Sequence, residues 1–384
     1  MKTELFTIKK ASKGTFLDLK EEIDKKIEKV DFYLIAVNSC YDLEVVGNYV
    51  EEIFQTDDFL LFSAIDHFDN SNVINNGITV CCFVFQRKGY LKHFYVDALE
   101  EKSEEALSHY LNEKKECFHI GLVSSENGGV DRLLDAVSNN LTYTPVDNIV
   151  GGVCSAKIDE QGNTKPSLYF KKKHIYSGIF ILTFYNVEAY VGVSLGFQPY
   201  GITYKMTKVS QNRLYTVDDG KKFSYLTQKL LSNLNPKSAK TDIRHLWYSP
   251  LVFLNDEHGY ATTLRTFSRI TDEYVEFFAD LPEDGYFKLS FATPQDLLFA
   301  DKKAARELHE KLQKPELLLN FSCVARQYVL EDMQEDEAKS YLKGQDGTNL
   351  FGFFTFGEIG PDPKYKSLKF YNETSLVVAM KEKG

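Results

Sequence analysis

A chain of 384 residues is too long for a single hydrophobic core, so its length calls for two domains. With 43% hydrophobic and 26% charged residues it is composed like an ordinary globular protein, and no apolar run approaches the roughly 18–20 residues that cross a bilayer. The net charge of −10, without a long basic cluster, argues against a nucleic-acid partner, because phosphate neutralisation needs a basic face.

Residues 1–14 read as a short strand or arm. Thr15-Phe16-Leu17-Asp18 has the form of a capping box, and Phe16, Leu19, Ile23, Ile27 and Val30 recur at helical spacing, which predicts an amphipathic helix on a sheet. A buried strand, Phe32 to Val37, ends in Asn38-Ser39-Cys40. A helix follows with Leu43, Val46, Val50 and Ile53 on its apolar stripe. The next strand, Phe59 to Phe62, ends in Ser63-Ala64, and the turn Asn75-Asn76-Gly77 leads into a strand from Ile78 to Phe85. The succession then recurs. A strand from Ile120 to Val123 ends in Ser124-Ser125, and a helix carries Val130, Leu133, Leu134, Val137 and Leu141. Asn148-Ile149-Val150 runs into Gly151-Gly152-Val153-Cys154-Ser155, and Leu168 to Phe170 with Ile175 to Phe184 reads as a hairpin.

Ala189 to Gly201 brings the chain to a turn at Asp218-Asp219-Gly220, and a domain boundary is expected there, dividing the chain into 1–218 and 219–384. Beyond it come a helix with Phe223, Leu226 and Leu230, and a polar loop around Asn235-Pro236. Short strands follow, with turns at Asp256-Glu257-His258-Gly259 and Glu283-Asp284-Gly285. Thr293-Pro294 opens a helix striped by Ala304, Ala305, Leu308 and Leu312. A third copy of the unit ends the chain: Leu317 to Cys323, a polar helical segment, Leu350 to Pro361, and Leu376 to Met380. Three strand-helix-strand units predict an α/β fold, mixed α+β in detail, with two domains of layered mixed sheets.

Six scattered cysteines without a CxxC pair, and an N-terminus without an apolar signal core, point to reduced thiols and a cytoplasmic location. The 29 Phe and 23 Tyr suit wide sheets with aromatic cores; the sharper alternative is an aromatic-lined pocket. The eight His form no HExxH set, so no metal site is expected, and there is no P-loop, GxGxxG or GxSxG.

The candidate site residues sit where strands end. Cys323 and Glu358 close two strands of one sheet, with Thr355 and Gly357 beside them and Arg326 at the start of the helix between. A helix N-terminus lowers a nearby thiol's pKa, and an Arg with a Glu would clamp the two ends of a zwitterion such as an amino acid. The alternative is a structural ion pair with Cys323 as packing. Gly151, Gly152 and Cys154 occupy the matching place in the second unit, where glycine permits close approach of a ligand or of a packed neighbour. Gly196, Phe197 and Pro199 form either a pocket wall or a strained connector. Asn372 and Thr374 are expected to bond the backbone before the last strand.

Three motifs in order, Phe321-Ser322-Cys323-x-x-Arg326, Gly352-Phe353-x-Thr355-x-Gly357-Glu358-Ile359 and Asn372-x-Thr374, resemble the C-terminal signature of the FIST family. Gly196-Phe197-Gln198-Pro199-Tyr200-Gly201 and the later Asp219-Gly220 resemble its central segment, so the likeness runs from about residue 30 to the end. The resemblance implies a non-catalytic intracellular sensor of small molecules such as amino acids or related metabolites. It would signal through a separate enzyme such as a histidine kinase or a cyclic-dinucleotide enzyme, since the chain ends soon after its last strand. No cofactor is expected; a family subgroup resembles haem-based nitric-oxide sensors, which makes haem the alternative, although no axial His can be placed. A Cys-dependent enzyme using Cys323 and Glu358 is the other alternative. The sequence departs from the family in its first unit, where Phe62-Ser63-Ala64-Ile65-Asp66-His67-Phe68 replaces a glycine-rich strand end, so the site is expected in the second and third units.

Overall fold

The computed structural model describes residues 1–125, 129–142, 144–158, 164–234, 242–254, 261–283, 285–362 and 367–384. The expected loop at Asn235-Pro236, the turn Asp256–Gly259 and Asp284 of the third turn lie outside the described residues.

The first helix, Lys13–Lys26, starts two residues before the expected box: Ser12 is its N-cap, and the Ser12 hydroxyl accepts the Thr15 N–H at 3.3 Å. Serine satisfies the free N–H groups of a first turn as well as threonine does, and it is placed so that Phe16, Leu19 and Ile23 all face inward.

The chain is built from three copies of one unit: an outer strand, a helix, a middle strand, a helical segment, an inner strand, a hairpin and a return strand. The first copy runs Lys2–Ile8, Lys13–Lys26, Phe32–Asn38, Leu43–Phe54, Phe59–Ala64, the hairpin His67–Asp69 with Asn72–Ile74, and Ile78–Val84. The second runs Tyr90–Val96, Glu101–Glu113, Phe118–Ser124, Val130–Asn140, Ile149–Val153, the hairpin Leu168–Phe170 with Lys173–Ile175, and Gly178–Tyr185. The third runs Val187–Ser194, Pro294–Lys311, Leu317–Cys323, the helices Val324–Leu330 and Gln334–Leu342, Asn349–Thr355, the hairpin Glu358–Pro361 with Leu368–Tyr371, and Ser375–Glu382.

Each copy makes a mixed sheet in the order outer, return, middle, inner, with only the middle and inner strands parallel. The hairpin leaves its own sheet and extends the inner edge of another. The first copy's hairpin joins the third sheet, the second's joins the first, and the third's joins the second. This exchange covers three edges that would otherwise be open and ties the three sheets into a ring. Their inner faces share one apolar cluster that includes Phe62, Phe83, Phe180, Phe184, Phe321 and Phe353, while helices pack on the outer faces. The phenylalanines thus serve as sheet core.

Two insertions break the repetition. Between outer strand and first helix the first two copies have short links, 9–12 and 97–100, whereas the third has residues 195–293, carrying an eight-stranded sheet. The boundary expected near Asp218 falls inside that sheet, between the paired strands Arg213–Val217 and Lys221–Lys222. Between inner strand and hairpin the first and third copies need only residues 65–66 and 356–357; the second has 154–167.

Candidate functional site

The registers place Asn38, Ser124 and Cys323 at the ends of the three middle strands, and His67, Leu168 and Glu358 at the head of the three hairpins. One backbone arrangement therefore carries three different sets of side chains. In the first copy His67 is fully buried, with Nε2 2.9 Å from the Thr79 hydroxyl, and burial pushes its pKa down to about 3. In the second the matching residue is apolar. In the third a thiol and a carboxyl stand together.

Cys323 faces Thr355 across the parallel pair, and its N–H donates to the Thr374 carbonyl at 2.9 Å. The Thr355 hydroxyl donates to Glu358 at 2.5 Å. Glu373 accepts from the Thr266 hydroxyl, which comes from the inserted sheet, at 2.8 Å. Both carboxyls are wholly buried, and each has one oxygen, Oε2, without a hydrogen-bond partner among the described residues. Asn372 is buried too; its Nδ2 donates to the Tyr371 carbonyl at 3.1 Å and its Oδ1 is left unpartnered. The Thr374 hydroxyl donates to the Asn372 carbonyl at 3.0 Å, the backbone bonding expected of this motif.

Burial sets the protonation of this cluster. It raises Glu373 to about 8 and Glu358 well above the carboxylate range, against the pull of the nearby Arg326 charge and of the two threonine hydroxyls. It raises the Cys323 thiol well above its ordinary value, with the two glutamates pushing the same way. The lowered thiol pKa expected from a helix N-terminus is not found: the burial and the glutamates outweigh the N–H groups of Ala325 and Glu373 beside the sulfur.

Arg326 lies close to these carboxyls but bonds elsewhere. Its guanidinium donates to Asp301 at 2.8 Å, to Glu337 at 3.4 Å and to the Leu195 carbonyl at 3.1 Å, with all three side chains fully buried. Asp301 also accepts from Ser194 at 2.6 Å and Tyr341 at 2.9 Å; Glu337 accepts from Asn320, Ser322 and Ser375 at 2.8–3.1 Å. This network joins the three helices of the third copy to its outer, middle and return strands and engages both terminal nitrogens of Arg326, leaving only Nε unpartnered among the described residues, on a fully buried side chain that lines neither cavity.

A cavity of about 20 Å³ adjoins the cluster, with a wall that includes Cys323, Thr355, Asn372, Thr266, Trp247 and Phe278. Through Ile158, Trp247 and Val324 it borders a larger groove of about 700 Å³, whose lining includes Lys157, Arg244, Tyr248, Gln327 and Tyr328. All three copies, the inserted sheet and the long link of the second copy reach this groove. Neither wall holds a His among the described residues, and the thiol that could ligate a haem iron is held protonated, so these residues do not fit a haem ligand set.

The remaining candidates line neither cavity. A Cβ at Gly151 would lie 1.9 Å from the Gly121 carbonyl oxygen, and one at Gly152 would lie 2.7 Å from the Thr355 methyl, so both glycines admit protein neighbours. Cys154 is buried, its N–H donating to the Val123 carbonyl at 2.7 Å. Gly357 has φ +154° with the Phe370 ring where a side chain would stand. Gly196, at φ +88°, packs on Leu297; Phe197 joins the same apolar cluster, and Pro199 is exposed in the inserted sheet. The residues that reading the sequence missed are Trp247, Thr266, Asn372 Oδ1, Glu373, Asp301 and Glu337. The one available signal was Glu373, an acid set between the two polar residues of the third motif.

The FIST N domain matches residues 31–220 and the FIST C domain residues 227–361. An uncharacterized protein of Aquifex aeolicus (strain VF5) is 28% identical over 252 residues, which cover 62% of this chain and 91% of that protein.

Proposed function

This chain belongs to the FIST family, whose domains are associated with signal-transduction sensing, and on that premise we propose that it is a cytoplasmic, non-catalytic sensor whose small ligand, an amino acid or related metabolite, enters the groove and reaches the cavity at Cys323, Thr355 and Asn372. The observation that carries this reading is the buried, unpartnered Asn372 Oδ1 in the wall of that cavity, with the incompletely paired carboxyls of Glu358 and Glu373 bonded to the wall residues Thr355 and Thr266, since buried polar groups in folded proteins are nearly always paired. The raised thiol pKa supports binding over covalent chemistry, for which a thiolate is needed. No described helix is long and apolar enough to cross a membrane.

A ligand in the groove would touch the inserted sheet through Trp247 and Tyr248, the second copy through Ile158, and the third through Val324 and Gln327. Binding would favour the arrangement in which these bodies are clamped together, and a ligand shifts an equilibrium by its preference for one state. A partner such as a histidine kinase or a cyclic-dinucleotide enzyme would read that state. The test is a thermal-shift screen of amino acids and metabolites: a ligand of the folded state at about 100 times its Kd adds roughly 2.7 kcal/mol of stability. The shift is expected to disappear in Thr355→Val; a shift that survives that substitution places the ligand elsewhere and overturns the site.

A further inference from the structure

We infer that the cavity beneath Trp247 is a receptor for a protonated amine, so that ligands are recognised by their ammonium group and need no carboxylate. The inference rests on the reading of this groove as the sensory site and narrows it to one chemical class.

The acceptors define the missing partner. Asn372 lines the cavity with Oδ1 unpartnered, while Glu373 and Glu358, each with an unpartnered Oε2, are bonded to Thr266 and Thr355 of the same wall. The Asn372 amide is oriented by its Nδ2 bond to Tyr371, so it is oxygen that lacks a partner. An ammonium group brings three donors and no acceptor, and its charge would draw the proton from carboxyls that burial otherwise holds neutral, making their free oxygens acceptors; a carboxylate brings only acceptors and would leave Asn372 Oδ1 unpaired. Size agrees with this. About 20 Å³ is room for one water-sized group, which suits an –NH3⁺ head and excludes a bulkier one.

The surroundings favour a cation over a neutral donor. The rings of Trp247, Phe278 and Phe356 contribute to the wall, and aromatic faces attract cations. The Trp247 ring is fixed by its Nε1–H bond to the Phe267 carbonyl at 3.0 Å and by an edge contact with Phe278. Arg326, the nearest buried cation, is neutralised by Asp301 and Glu337 and adds no partner for the orphaned oxygens. An entering ammonium would favour the ionised form of Glu358 or Glu373, which burial holds neutral in its absence, with the proton released to solvent. Its carbon body would lie along Ile158 and Val324 toward the groove, where Lys157 stands ready for the carboxylate of an amino acid but is not required by a plain amine.

The experiment titrates the full chain by calorimetry with two matched sets. One is phenethylamine, L-phenylalanine and 3-phenylpropanoate; the other is 3-methylbutylamine, L-leucine and 4-methylpentanoate. In at least one set the amine and the amino acid are expected to bind and the deaminated acid to fail, and Glu373→Gln, which keeps the acceptor for Thr266, is expected to weaken binding at least tenfold. Glu358→Gln provides the same comparison should Glu373→Gln not fold. The inference is overturned if a deaminated acid binds as well as its amine, if neither substitution changes the affinity, or if no amine binds at all and the cavity holds only water. In each case the sensory site itself still stands where the metabolite screen yields a ligand whose shift Thr355→Val abolishes, and it falls where that screen is empty or the shift survives the substitution.

Discussion

Two polar clusters lie side by side in the third copy, and they treat burial in opposite ways. Around Arg326 the guanidinium, Asp301, Glu337, Tyr341 and four smaller side chains bond to one another, with the charges paired and only Arg326 Nε and Asp301 Oδ2 left without partners among the described residues, neither residue in a cavity wall. Around Cys323 the thiol, Glu358, Glu373 and Asn372 are equally buried, yet three oxygens are left without partners beside a cavity. The first arrangement pairs its charges internally and can hold helices on a sheet. The second is complete only with something added. An unpaired acceptor in a cavity wall, more than charge or position at a strand end, separates a receiving cluster from a structural network.

Breaking the first cluster is expected to have the largest effect. Arg326→Met leaves Asp301 and Glu337 as buried carboxyls without their cation and should cost ~3–5 kcal/mol, as removal of one partner of a buried ion pair does; equilibrium denaturation measures it. A loss below about 1 kcal/mol would mean that the network is not what fixes the helices. Removing charge from the second cluster should act in the other direction and depend on pH. The Glu373 pKa is raised to about 8 from an ordinary 4.5, so the folded state holds its proton more tightly than the unfolded one. Its contribution to stability is fully present below pH 4.5 and is lost as pH rises through 8, at up to about 1.4 kcal/mol per pH unit. Glu373→Gln abolishes that titration, so its stability relative to the parent should climb between pH 5 and pH 8. A constant difference across that window would show that the carboxyl is not held neutral by burial.

How much of this was legible in the sequence follows from what each feature depends on. The three strand-helix-strand copies were legible because strand and helix periodicities are local. The hairpin exchange was not, since which sheet edge His67–Asp69 or Glu358–Pro361 joins is decided by a distant part of the chain. The boundary expected at Asp218 rests on a turn signal: the two family matches divide close to it, at 220–227, while the strands on either side of the turn pair within one sheet. Cys323, Thr355 and Glu358 were singled out because short motifs mark strand ends; Cys323 and Thr355 do end neighbouring strands, whereas Glu358, expected to end a strand of the same sheet, opens the hairpin strand that pairs in the second sheet. Arg326 was expected to grip a ligand because its charge was visible, whereas the acids that neutralise it stand on two other helices, at Asp301 and Glu337, and their approach is a tertiary fact. Asn372 was assigned its backbone role, which it has; that its second polar atom goes unpaired depends on the inserted sheet and the strands around it.

The finest cut between the clusters is Tyr341→Phe. The Tyr341 hydroxyl bridges Asp301 and Ser375, both at 2.9 Å. Each neighbour has other partners: Asp301 keeps Arg326 and Ser194, and Ser375 keeps Asn320 and Glu337. A redundant network loses one bond without stranding a charge, so the expected cost is ~1 kcal/mol, well short of the Arg326→Met loss. The same variant should leave the ligand-induced thermal shift unchanged, because none of the orphaned acceptors bonds to Tyr341. If that shift shrinks with Tyr341→Phe, the two clusters form one coupled unit, and the ion-pair network then belongs to the sensor's switching apparatus as well as to its fold.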